Sequence, residues 1–136
     1  MRIIAPVLLG SLAAAGMALA QDAALTAPPA APFAKVSTLV TLPDFIPGLG
    51  TLYVDPASLP AGPFLGYDHD GRLSATIYMV PIEDLTAGKA FDKLAVGTDS
   101  VAGVDIYYNA GHPGVEKPHA HVVLFHDADA RARLAK

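Results

Sequence analysis

Proline and glycine punctuate the chain so densely that it can fold only from short elements. Pro47, Gly48 and Gly50 interrupt residues 43–50 (PDFIPGLG) in succession and exclude a helix there. The stretches between such breaks are rich in β-branched and aromatic residues, the composition of strands. Strands are expected over residues 36–42 (VSTLVTL), 51–54, 64–67, 73–80, 104–108 and 119–126. Asp68-His69-Asp70-Gly71 has the make-up of a hairpin turn between the third and fourth of these. Asp55 before Pro56 reads as the cap of one helical turn, and Pro81 followed by Glu83 and Asp84 as the start of a short helix. A further turn is expected over residues 89–94. The tail, with acids first and Arg131, Arg133 and Lys136 later, suits a short C-terminal helix. These elements predict an α+β domain: a mainly antiparallel sheet of five or six strands with one or two short helices.

A length of 136 residues leaves room for one core. Residues 1–20 read as a signal peptide: Arg2 supplies a basic start, an apolar run follows, and Ala18-Leu19-Ala20 offers small residues for cleavage between Ala20 and Gln21. The apolar run is shorter than the ~20 residues needed to cross a bilayer, so no lasting membrane anchor is expected. Residues 21–35 are Ala/Pro-rich and read as an extended linker, leaving residues 36–136 as the domain. The mature chain is expected in the periplasm or outside the cell. Loss of Arg2 takes the formal net charge from −4 to −5.

Composition removes several functions. There is no cysteine, which excludes a disulfide scaffold, a thiolate metal site, a cysteine nucleophile and a lipoprotein anchor. The basic residues are few and scattered, so nucleic acid is not an expected partner. Ser58 and Ser74 lack a nucleophile-elbow context, and Asp68 and Asp70 before Gly71 lack the remaining ligands of a calcium loop. Tyr107-Tyr108 reads as strand packing, and Glu83-Asp84 as charge at a helix start. No catalytic residue is assigned.

The unusual chemistry is in histidine. Four of the five histidines lie in GHPGVEKPHAHVVLFH, which begins at Gly111. Side chains at i and i+2 of a strand share a face, so His119 and His121 project together, and the preceding loop can carry His112 over them. Two imidazoles preset by a strand and a third from a loop suit a first-row divalent ion, with zinc or copper the foremost candidates. Asp105 on the neighbouring strand, Glu116 and His126 are further candidate ligands or acceptors. His126 lies an odd number of positions from His121 and should face the other way. A shared ion requires the three imidazole nitrogens to converge within roughly 3–4 Å. The competing reading has the histidines as half-buried rings bonded to carbonyls and tyrosines, and a third makes them a pH-responsive interface. The HxH pair also invites comparison with cupins, but His126 stands where a cupin glutamate would be, and a second cupin motif is not visible.

Residues 43–68 (PDFIPGLGTLYVDPASLPAGPFLGYD), 78–85 (YMVPIEDL) and 108–121 (YNAGHPGVEKPHAH) together resemble a family of small exported bacterial proteins built around a domain of unknown function. The resemblance implies a compact α+β domain and self-association, and it carries over no reaction. Three functions follow: an exported metal-binding protein using His112, His119 and His121, a structural module forming a homo-oligomer without metal, and a small cupin-like metalloenzyme.

Overall fold

The computed structural model describes residues 23–136, and the signal peptide expected over residues 1–20 lies outside the described residues. The described residues form an α+β fold in which a six-stranded antiparallel sheet carries two short helices. The strands are β1 (Ala34–Lys35), β2 (Thr51–Val54), β3 (Phe64–Tyr67), β4 (Leu73–Pro81), β5 (Gly103–Asn109) and β6 (His119–Phe125). The helices are α1 (Ile82–Thr86) and α2 (Ala130–Leu134), and the turns Val36–Thr38 and Pro56–Ser58 are 3-10. Strand order is β1-β2-β3-β4-β6-β5. The last two strands exchange places because the β5–β6 hairpin folds back to lay β6, with its histidines, against central β4.

Every residue of β4 is buried, since both faces of the sheet are covered there. On one face Ala75, Ile77 and Met79 pack with Val54, Phe64, Val123 and Phe125, and α2 closes that core with Ala130 and Leu134. On the other, Leu65, Tyr67 and Leu73 pack against Ala24, Ala27, Phe33 and Tyr53. The 68–71 turn is fixed by Asp68, whose carboxylate accepts the amides of Asp70 and Arg72, each at 2.9 Å.

Three local expectations differ from the structure. Residues 36–42 form no strand. The Thr38 hydroxyl donates to the Lys35 carbonyl (2.6 Å) and the Ser37 hydroxyl to Asp44 (2.5 Å), local bonds that compete with a sheet ladder. Val36, Val40 and Leu42 then lie as a strap across the first core. The expected linker is also folded where it is described. Ala27 donates its amide to Gly71, Leu25 accepts that of Leu73, and Tyr67 donates its hydroxyl to Ala24 at 2.6 Å. Its alanines are small enough to lie flat on the sheet, which composition alone does not reveal. Residues 89–94 form no helical turn, because Gly88 at φ +86° ends α1.

Among the described residues no helix is long and apolar enough to cross a membrane. Edge strand β5 leaves Val104, Ile106 and Tyr108 exposed, Ile106 to 70 %.

Candidate metal centre

Alternation along β6 buries His119, His121, Val123 and Phe125 on one face. The sheet register sets His119 between Pro81 of β4 and Asn109 of β5, and His121 between Met79 and Tyr107. His119 is fully buried and His121 is 4 % exposed. The loop after β5 brings in His112 by local chemistry. The Asn109 side chain accepts the Gly111 amide at 2.8 Å. His112 and Val115 then exchange two backbone hydrogen bonds of 3.0 Å across Pro113-Gly114. Proline leads that turn, and Gly114 at φ +89° takes the position where a type II turn requires a positive φ. Buried Val115 anchors the loop to the core.

The three Nε2 atoms converge. They lie 2.9 Å (His119 to His121), 3.1 Å (His112 to His119) and 3.3 Å (His112 to His121) apart. Each ring is held from behind through Nδ1. His119 Nδ1 donates to the Lys117 carbonyl at 2.7 Å, and His112 Nδ1 to the Pro113 carbonyl at 3.0 Å. His121 Nδ1 meets the Tyr107 hydroxyl at 3.1 Å. A carbonyl oxygen only accepts, so in the neutral rings of His112 and His119 the proton is on Nδ1 and Nε2 carries a lone pair. Two lone pairs at 3.1 Å repel unless a cation lies between them. Burial first, and then the neighbouring imidazoles of His119 and His112, push His121 down to about 4, so it is uncharged at neutral pH. The three histidines could therefore hold a metal ion.

The other candidates lie elsewhere. Asp105 shares the face of Tyr107, but its carboxylate takes a forked contact from Arg131 at 2.7 and 3.3 Å. The orienting role expected of Asp105 belongs to Tyr107. Glu116 is exposed and falls outside the cluster. His126, just past the end of β6, is on the opposite face, where its Nδ1 donates to the Ser100 carbonyl (2.7 Å) and its Nε2 accepts from the Thr76 hydroxyl (2.7 Å). Burial lowers its pKa against the opposing pull of Ser100 and Asp127, as for a neutral ring with both nitrogens bonded. Sequence reasoning missed Tyr107 as a partner of His121, although its place two residues from Asp105 put it on the right face.

Two variants test how the cluster is held. Tyr107→Phe removes one hydroxyl and should weaken metal affinity by ~10- to 100-fold with little loss of fold, read by competitive titration against a chromogenic chelator. Gly111 is at φ +132°, and a Cβ there would overlap the Glu116 carbonyl. Gly111→Ala should therefore cost about 1–3 kcal/mol in a denaturant melt and displace His112, weakening metal binding as well.

Beside the cluster, between the strap of residues 36–49 and the sheet, lies a cavity of about 300 Å³. His112, His121, Tyr107 and Asn109 line one end, and Leu39, Val40, Leu42, Leu52, Phe64 and Met79 are among the residues lining the rest. His119 is not part of the lining.

No protein-family model matches the chain, and no curated protein does. Among solved structures, the chain is similar to the crystal structure of hypothetical protein TTHB210 from Thermus thermophilus. The identity is 39 % and the TM-score 0.61, over 70 % of this chain and 94 % of that one. At that identity and coverage, the chain belongs to the same family as this Thermus protein.

Proposed function

We propose that this is an exported metal-binding protein that holds one divalent transition-metal ion, zinc or copper, on Nε2 of His112, His119 and His121. The observation that carries the reading is the convergence of three Nε2 atoms at 2.9–3.3 Å with all three Nδ1 atoms engaged. Ligands at 2.0–2.1 Å from a tetrahedral ion lie roughly 3.3 Å apart, close to this spacing. An ion held by three nitrogens would keep a fourth position for a further donor. Two of the three rings, His112 and His121, also line the neighbouring cavity, so a fourth ligand would reach the ion from there. Imidazole donors without sulfur suit zinc and copper. The test is metal analysis of tag-free protein, stripped with chelator and reloaded. One equivalent of zinc or copper is expected, and less than a tenth of an equivalent of both would refute the reading. Export rests on the leader composition of residues 1–20; the exported protein should begin at Gln21 by intact mass, and a chain retaining Met1 would contradict it.

A second reading, self-association, is favoured by the exposed β5 residues Val104, Ile106 and Tyr108 on an edge strand. Light scattering of metal-free protein should then give a defined oligomer. A monomer at every concentration would exclude it.

A further inference from the structure

We propose that the cavity beside the three histidines binds a small apolar monocarboxylate, with its carboxylate on the open metal position and its hydrocarbon tail among the strap and sheet residues. The inference rests on the metal reading above and goes further by naming the ligand class.

Polarity in the cavity is one-sided. The rings of His112 and His121 are gathered at one end with Tyr107 and Asn109, and among the described residues no Asp, Glu, Lys or Arg lines it anywhere. Leu39, Val40, Leu42, Leu52, Phe64 and Met79 offer a tail apolar contact and offer a second polar group no partner. A ligand with polar groups at both ends would bury one of them unpaired. The volume, about 300 Å³, is at the lower end of the range for small-molecule sites.

The chemistry of the head follows from charge. An ion held by three neutral imidazoles keeps its full double positive charge, and among the described residues no carboxylate lies within the cluster to offset it, since Asp105 is taken by Arg131. An anionic oxygen donor completes a tetrahedral zinc site at 2.0–2.2 Å and neutralises part of that charge. Without the ion, the same cavity offers an anion no cationic side chain among the described residues. Carboxylate binding must therefore depend on metal, and the tail must add affinity that metal alone does not supply.

The experiment is calorimetric titration of acetate, butanoate, hexanoate and octanoate into zinc-loaded and chelator-stripped protein, with zinc content measured on each sample. Affinity for the zinc form is expected to rise by roughly fourfold for each added methylene. Octanoate should bind the stripped form at least tenfold more weakly, and octanol should bind the zinc form more weakly than octanoate. A flat series would overturn the proposal, as would octanoate binding equally to both forms or to neither. If one equivalent of zinc is retained and octanoate fails to bind, this inference falls and the metal centre stands. If zinc is not retained, the metal reading fails first, and the sample identifies that failure directly.

Discussion

The double variant His119→Ala plus His121→Ala is expected to lose metal binding completely while keeping the sheet. The wild-type protein at zinc 100-fold above its dissociation constant should gain about 2.7 kcal/mol of stability from the ion, and the variant none. Both side chains project from β6 toward the cavity end of the first core, beyond Val123 and Phe125, so the neighbouring apolar contacts survive. The backbone pairing of β6 with β4 and β5 does not use these side chains. The melting temperature of the stripped variant should therefore lie near that of stripped wild type, since loss of His119 also removes the lone pair that faces His112. A zinc-dependent rise in the variant equal to that of wild type would place the ion elsewhere.

The second large effect concerns Arg133 in α2. Its guanidinium donates to Asp68 at 2.8 Å, to both oxygens of Asp127 at 2.7 Å and to the Ser74 hydroxyl at 3.0 Å. The Asp68 side chain is only 3 % exposed, and the Arg133 side chain 18 %. Arg133→Ala leaves the Asp68 carboxylate buried with its turn amides and a longer contact from Arg72 at 3.4 Å. The expected loss is ~3 kcal/mol, a large fraction of the total for a small domain, measured by denaturant melts. Arg131→Ala removes an exposed pair with Asp105 and should change stability little.

The same cluster sets the acid limit. Hydrogen bonds from Arg133 hold Asp127 down at about 2 against an ordinary 3.8. Burial alone would raise Asp68, but the Arg72 amide, Arg133 and the Asp70 amide together keep it below the usual range. Carboxyl groups lowered by folding stabilise the native state above their unfolded value, and that contribution is lost as pH falls from about 4 toward 2. His121 and His126 are also lowered by folding, so their contributions begin to fall at a higher pH, below about 6.5. Melts of stripped protein from pH 8 to pH 2 should weaken in two stages. A flat profile between pH 6.5 and 5 would contradict the buried neutral state of these two histidines.

Much of the sheet is legible in local chemistry, for identifiable reasons. The Leu73–Pro81 strand and its Asp68 turn follow from β-branched residues beside an Asp-rich turn, and the shared face of His119 and His121 follows from the period of two. Residues 36–42 have strand composition yet form a strap, because their Ser and Thr hydroxyls bond locally and their valines meet a core face already built by other strands. What brings Tyr107 to His121 is the register of β5 on β6, a long-range property that spacing within either strand does not contain. The cavity is less legible still, because its walls come from the strap, β2, β3, β4 and the histidine loop at once.

The central claim is a single ion on three specified nitrogens. X-ray absorption at the zinc edge of protein loaded with one equivalent tests it most directly. The account predicts three imidazole nitrogens at about 2.0–2.1 Å and one further oxygen donor, with the imidazole scattering lost in the His119→Ala plus His121→Ala variant. Zinc surrounded by oxygen alone, or an unchanged imidazole shell in that variant, would contradict it.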